Sequence, residues 1–471
     1  MKQQQFIDGT WVDAEGGGRW DVIDPATEQV VANVPYGGAA DTNRAIAAAQ
    51  RALPGWRAKT AYERAAVLVK AAASMRARVE QLAKLTVSEA GKPLREAMGE
   101  WQVAADLFEW FAEEGKRVTG YTIPSRVATK RNLVLREPIG VVGVITAWNF
   151  PAYNPARAVA AALAAGCTVV MRPAELTPLS GMAIVAALEE AGLPAGACNL
   201  VNGEPAAMGQ AMLDHPDLRK LSFTGSVGVG KLLMDGASRT MTRLSLELGG
   251  NAPVLVLPDV DIEAVAKAAV AAKFRNAGQV CVSPQRFFVA QRHAKAFEEV
   301  VVAETKKLPV GSGLEPATRV GPLISARHRE RVEGLIAQAT AAGGTLRAGG
   351  VRPARPGFFL EPAVLATPPI ADEVFGPVFA LSSFDQLDEA VAAANATRYG
   401  LAAYVFTNDL TAAMRCYERL EFGMIGVNEW APQATEAPFA GRKDSGLGHE
   451  SGREGLLDNL ETKLVAFGNV R

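Results

Sequence analysis

Cysteine and histidine are scarce, with four of each in 471 residues. Cys167, Cys198, Cys281 and Cys416 stand far apart and without CxxC spacing, which excludes a disulfide framework and a zinc site. His215, His293, His328 and His449 sit in no glycine-rich or motif-like setting. A Cys–His dyad therefore has no support in the sequence, each histidine reads as a surface or packing residue, and no metal is expected. An excess of one charge is also missing: 49 basic against 50 acidic residues leave a net charge of -1. With no long basic block, nothing calls for nucleic acid or an anionic membrane surface. The most apolar run, Ala158 to Met171, is too short to span a bilayer and contains Gly166. The start, MKQQQFIDGTWVD, lacks the apolar stretch of a signal peptide. A cytoplasmic location is expected.

What is present is ample apolar material, enough for two or three domains. FIDGTWVD reads as a hairpin turning at Asp8-Gly9. Helical patterns follow: DTNRAIAAAQRAL behind an Asp41 or Thr42 cap, a run from Tyr62 to about Ala90, and another from Pro93 to Lys116. From Ile139 the texture changes. VVGVITAW, CTVVMRP, ACNLVNG, LRKLSFTG and RLSLELGG read as strands, with helical stretches between them. This alternation predicts a parallel sheet with helices on both faces. A second α/β stretch begins near Asn251. YTIPSRVATKRNLVLREP reads as an excursion of two strands and ETKLVAFGN as a final strand. Paired, they would form an arm toward another subunit, because an exposed strand edge seeks a partner.

Five places in this frame carry side chains suited to chemistry. In FRNAGQVCVSPQRF, Cys281 lies at a helix-to-loop edge beside Gly278-Gln279. A lone cysteine is commonly a packing residue; as a nucleophile it needs a destination for its proton. Glu247 interrupts the apolar strand of RLSLELGGNAP, where burial costs free energy and raises proton affinity, as a general base requires. Asn149, in ITAWNFP, stands at the carboxyl end of a strand, where ligands collect in open α/β sheets and an amide can donate to an oxyanion. FTGSVGVGK, with Gly225, Ser226 and Gly230, reads as a strand-turn-helix exposing amides to an anion. Its spacing is not GxGxxG, and tight packing would explain its glycines equally well. Glu175, in MRPAELTP, suits either ribose hydroxyls or the charge at a helix N-terminus.

Taken together, WNFP at 148–151, RPAE at 172–175, FTGS at 223–226, LELGG at 246–250, GQVC at 278–281, EVFGPV at 373–378 and PFAGRKDSG at 438–446 resemble the aldehyde dehydrogenase superfamily over essentially the whole chain. In pattern the chain is nearest to NAD(P)-dependent, succinate-semialdehyde dehydrogenase-like enzymes. The resemblance implies an α/β fold with two doubly wound parallel-sheet domains and a small β-strand oligomerisation arm. It assigns 1–117 and 137–247 to an NAD-binding domain, 248–445 to a catalytic domain, and 118–136 with 446–471 to the arm of a homodimer or homotetramer.

The resemblance also implies a mechanism. Cys281 attacks the aldehyde carbon, Asn149 holds the oxyanion, hydride leaves for the nicotinamide, and water activated by Glu247 hydrolyses the thioester. Glu373 and Phe375 would hold the nicotinamide ribose, Arg172 and Glu175 the adenosine ribose, and Ser226 the pyrophosphate, with Trp148 and Leu248 lining the slot. Family members that pass the acyl group to coenzyme A typically lack the Glu247 base, so a free acid is the expected product. The family usually has lysine at 172 and glycine at 440, where this chain has Arg172 and Ala440. Arg172 would tolerate an added phosphate, whereas Glu175 would repel it, so NAD is expected over NADP.

For the substrate, Arg157 matches the carboxylate-binding arginine of succinate-semialdehyde dehydrogenases. Arg286 offers a second cation, and a guanidinium fork suits a carboxylate-bearing aldehyde. Trp430 would instead suit a ring-bearing aldehyde. The alternatives are an uncharged aliphatic or aromatic aldehyde on the same mechanism, and a cysteine hydrolase without a redox cofactor.

Overall fold

The computed structural model describes residues 3–470. Its first sheet has eight strands, in the order Thr10–Val12, Gln5–Ile7, Cys198–Leu200, Thr168–Arg172, Val141–Ile145, Leu218–Thr224, Arg243–Glu247 and Gly446–Leu447. The run from Cys198–Leu200 to Arg243–Glu247 is parallel, with antiparallel strands at both edges. The chain winds outward from Val141–Ile145 to Cys198–Leu200, then returns to the other side of Val141–Ile145 as Leu218–Thr224. Winding direction reverses between these two neighbours, and their carboxyl ends open the crevice where such sheets bind ligands. The loops leaving those ends carry Trp148-Asn149 and Gly225-Ser226.

The second sheet runs Thr345–Ala348, Ala363–Ala366, Val378–Phe384, Pro284–Ala290, Ala252–Val256, Ala402–Phe406 and Met424–Val427, all parallel except the first. Cys281 and Glu373 lie just before two of its strands. The amino ends of the second sheet therefore meet the carboxyl ends of the first, where Asn149, Ser226 and Glu247 sit.

The final strand, Leu460–Phe467, pairs antiparallel with Arg131–Pro138, which also pairs with Tyr121–Ile123. This three-stranded sheet leaves Tyr121, Ile123, Leu135, Leu464 and Phe467 exposed. Among the described residues from 446 onward, only Leu460–Phe467 belongs to it. Gly446–Leu447 extends the first sheet, and the helix Gly452–Leu457 packs against the helices Tyr153–Ala165 and Leu94–Gly115.

Local chemistry explains two departures from the helical pattern. The run from Tyr62 divides into Ala61–Ala77 and Val79–Ala90 at Arg78 (φ -121°, ψ 17°), whose guanidinium is engaged by Ser74 and Glu190. Thr60 and Glu63 close a capping box on the first half, a device worth about 1 kcal/mol. The helix Ala39–Ala58 starts before Asp41, whose buried carboxylate accepts from the Glu15 amide. Tyr153–Ala165 is buried on nearly every side, as a helix apolar all round should be, so Arg157 upon it must find its partners inside the protein. Among the described residues, no helix is long and apolar enough to cross a membrane.

Candidate active site

The loop that delivers Cys281 is bent by three consecutive left-handed residues, Asn276 (φ 49°), Ala277 (φ 53°) and Gly278 (φ 72°). Without a glycine such a conformation costs about 1–2 kcal/mol, so the surroundings must hold it. Glu96 accepts from the Asn276 amide at 2.8 Å, and the Asn276 side chain donates to the Asn149 carbonyl at 3.0 Å. Gln279 donates to the Asn276 carbonyl and accepts from the Ile324 amide. A Cβ on Gly278 would lie 2.1 Å from the Gly376 carbonyl oxygen. The Gly-Gln pair before the cysteine thus has a mechanical reason: one residue admits a close backbone approach and the other pins the bend. Beyond the cysteine, the buried Lys273 ammonium donates to Ser283 and Gln285.

Asn149 is held from both ends. Its Nδ2 donates to the Gln279 carbonyl at 3.1 Å and its Oδ1 accepts from Asn154 at 3.2 Å, which fixes which end is the donor. Its carbonyl also accepts from the buried Lys92 ammonium, which pairs with Glu100 at 2.5 Å. Glu100 in turn accepts from the amides of Ala152 and Tyr153 at the start of the buried helix, where an anion is stabilised.

Cys281 forms a common wall of two cavities, of about 230 and 450 Å³. The smaller is bounded by Trp148, Asn149, Gly225, Ser226, Leu248, Gly249, Glu373 and Phe375, with Glu247 beside the sulfur. Glu247 is buried and its Oε1 has no hydrogen-bond partner. Burial pushes its carboxyl up to about 8, reinforced by Glu450 and opposed by Arg157 and a hydrogen bond with Cys281. Burial, with the Glu247 charge added, also holds the Cys281 thiol well above its ordinary range. Thiol and carboxyl are therefore neighbours that both resist ionisation.

Glu373 accepts from the Gly250 amide at 2.9 Å, and burial raises its carboxyl to about 7. A Cβ on Gly249 would lie 2.4 Å from its Oε2, so glycine is needed there. Phe375 (φ 50°) meets Trp148 edge-on at 5.3 Å. The loop is clamped from the helix Ala326–Ala341: His328 donates to the Phe375 carbonyl at 2.7 Å, and Arg331 to the carbonyls of Val374 and Glu373. Burial drives His328 down to about 4, so it stays neutral. The sequence reading passed over both clamps. Their spacing of three, which puts them on one helix face, was the available signal.

The remaining residues expected at the cofactor lie apart from this loop. Arg172, buried at the end of its strand, donates to Glu175 at 2.7 Å and to the Gly203 carbonyl at 3.0 Å, near Tyr36 and Glu204. Ser226 caps the helix Val227–Ala237. Gly230, expected at the cofactor, does not line the cavity. It sits one turn into that helix, where a Cβ would collide with the Leu248 side chain at 2.7 Å, and its role is packing.

The larger cavity contains Arg157 and Arg275. Arg157 pairs with Glu450 at 2.5 Å; burial acts to lower its proton affinity, but Glu450, Tyr153, Glu247 and Cys281 together outweigh it and keep the guanidinium protonated, and it lies over the rings of Phe439 and Tyr153. Its Nη1 is buried without a hydrogen-bond partner. Arg275 was overlooked although it lies six residues before Cys281. It makes no side-chain hydrogen bond or ion pair among the described residues and stands over the Phe150 ring at 5.4 Å. Arg286 is not brought to this cavity. It points from the strand Pro284–Ala290 toward the carbonyls of Asn251, Ala393 and Ala394 and spends its fork there. Trp430 is likewise absent from the wall, packed among Phe406, Tyr404 and Phe287. Among the described residues, no group of three His, Cys, Asp or Glu side chains is gathered for a metal ion.

Residues 11–465 match the model of the aldehyde dehydrogenase family. The chain belongs to this family. It is 46% identical to a 3-sulfolactaldehyde dehydrogenase of Pseudomonas putida, over 100% of this chain and 98% of that protein. It is 43% identical to the NADP(+) succinate-semialdehyde dehydrogenase of Escherichia coli K12, over 99% and 98%. Among solved structures, betaine aldehyde dehydrogenase of Staphylococcus aureus in complex with NAD+ superposes with a TM-score of 0.97 at 35% identity, covering 100% of this chain and 95% of that one. These aldehyde dehydrogenase relatives share the two-sheet α/β architecture described above.

Proposed function

We propose that the protein oxidises an anionic semialdehyde, of which succinate semialdehyde is the simplest test case, to its carboxylate with NAD as oxidant. The observation that carries this reading is the shared sulfur. Cys281 faces Glu247 and the Gly225-Ser226 turn in one cavity, and Arg157 with Arg275 in the other.

The residues present fit a nicotinamide dinucleotide. Two carboxylates, Glu175 and Glu373, would accept from ribose hydroxyls, and the helix N-terminus capped by Ser226 would hold the pyrophosphate. When bound, the dinucleotide supplies the acceptor for hydride. The protein's own groups do the rest. Cys281 passes its proton to the adjacent Glu247 carboxylate as its sulfur bonds to the aldehyde carbon. The second Nδ2 hydrogen of Asn149, whose orientation Asn154 fixes, donates to the oxygen of the thiohemiacetal. Glu247 then releases that proton to solvent; at the thioester stage it takes a proton from water, which adds to the carbonyl, and the Cys281 sulfur leaves with the electrons of the C–S bond and is reprotonated.

The relatives include a 3-sulfolactaldehyde, a succinate-semialdehyde and a glutarate-semialdehyde dehydrogenase, named for aldehydes with an anionic far end, which supports the same assignment for the two arginines. Because removing Arg157 would strand Glu450, the test uses Arg157→Lys and Arg275→Ala. Each is expected to lower the ratio of kcat/KM for succinate semialdehyde over butanal by about tenfold or more. An unchanged ratio in both variants would sink the anion site.

NAD is favoured over NADP because Glu175 and Glu204 place negative charge near the adenosine end, and Arg172 is already engaged by Glu175 and Gly203. Glu175→Ser is expected to move the NADP-to-NAD ratio of kcat/KM upward by about tenfold to a hundredfold, read from initial rates with each dinucleotide. The Escherichia coli relative is an NADP(+) enzyme by name, so the preference belongs to these side chains and not to the fold. The free cysteines suit the reducing cytoplasm, and the exposed three-stranded sheet suits pairing with a second copy in a homodimer or homotetramer.

A further inference from the structure

Most polar groups in the wall of the larger cavity already have partners. Glu96 is taken by the Asn276 amide, Glu100 by Lys92 and two amides, and Asn154 by Asn149. Arg157 and Arg275 retain donors for an anion. Among the neutral groups of the wall the hydroxyls of Tyr153 and Thr435 and the amide of Gln433 have no partner among the described residues, and of these the Gln433 Oε1 is the one that is buried. Its loop is fixed nearby, since the Thr435 carbonyl accepts from Gly452 and the Ala434 carbonyl from Ala437. Thr435 itself adds a hydroxyl to the same wall.

An unmatched buried amide oxygen requires a donor. An anionic terminus offers none, and an unsubstituted chain between aldehyde and anion offers none either. A hydroxyl on that chain supplies one, and its oxygen can accept in turn from Thr435. We infer that Gln433 is a specificity residue for a hydroxyl carried between the aldehyde and the anionic end, so that the preferred substrate class is a hydroxylated anionic aldehyde. The inference rests on the anion-site reading and narrows it.

The test compares 3-sulfolactaldehyde with 3-sulfopropanal, which differ by one hydroxyl, and lactaldehyde with propanal, the same difference without the anion. The parent enzyme is expected to prefer the hydroxylated member of each pair by about tenfold to a hundredfold in kcat/KM, the cost of leaving a buried acceptor unmatched. Gln433→Leu should bring both ratios to within about threefold of one. Gln433→Glu, which keeps an acceptor, should retain the preference in the uncharged pair. No preference in the parent, or an undiminished preference in Gln433→Leu, would overturn the inference and assign the amide oxygen to a water. If the sulfonated aldehydes are no better than their uncharged counterparts, the anion-site reading fails instead, whatever the hydroxyl ratio shows.

Discussion

Cys281→Ala is expected to fold as the parent does and to lose aldehyde oxidation by on the order of 10⁴-fold or more, the scale on which removal of a catalytic nucleophile acts. No other sulfur can substitute. Cys167, Cys198 and Cys416 are buried in the cores of the two sheets, and only Cys281 touches both cavities. Cys281→Ser should be nearly as inactive, because a hydroxyl surrenders its proton far less readily than a thiol. The same environment predicts how the thiol responds to alkylation. Burial and the Glu247 charge hold its proton, so modification by iodoacetamide in the enzyme without dinucleotide should keep accelerating above pH 9. In Glu247→Gln the repulsion is gone, and the profile should move to lower pH. Turnover that survives complete alkylation of Cys281, measured by intact-mass spectrometry alongside the assay, would remove the nucleophile from the mechanism.

The residues that carried the reading from sequence were those whose chemistry clashed with their local pattern. A glutamate ending an apolar strand, an amide directly after one, and a cysteine behind Gly-Gln are each costly unless used, and the structure gathers all three around one crevice. The alternating strands and helices were equally visible, because buried parallel strands are short apolar runs that need a helix to return. Long-range geometry was hidden. Arg157 and Arg286 look alike as isolated cations, yet one lies on a helix beside the cavity while the other feeds the carbonyls of Ala393 and Ala394, more than a hundred residues along the chain. Arg275 stood in the stretch that drew attention to Cys281 and gave no sign of its exposure to the cavity. Nor does an alanine at 277 announce a left-handed backbone. That conformation exists because Glu96, Asn149 and Gln279 hold the bend, and none of them is a sequence neighbour except the last.

Glu247→Gln should separate the two halves of the reaction. Acylation consumes one aldehyde and reduces one dinucleotide per site before any water is needed, so rapid mixing should still show NADH formation approaching one equivalent, at a rate lowered by loss of the acceptor for the Cys281 proton. Steady turnover should then be lower by about 10²- to 10⁴-fold, the contribution of a positioned general base. The pH dependence follows from the buried carboxyl. Only the ionised form accepts the water proton, so hydrolysis in the parent should rise with pH and level off above about 8; the variant's residual rate should lack that step. Stability carries the opposite sign. The folded protein holds this proton up to about pH 8, whereas the unfolded chain loses it near the ordinary value of 4.5. Between those limits the native state binds more protons, so the contribution to stability is full below 4.5 and is lost as pH rises toward 8, at about 1.4 kcal/mol per pH unit. Gln does not titrate, so the melting temperature of the variant relative to the parent should climb between pH 5 and pH 9. A constant offset across that range would mean that Glu247 ionises normally, and the base that releases the acid would have to be sought elsewhere in the crevice.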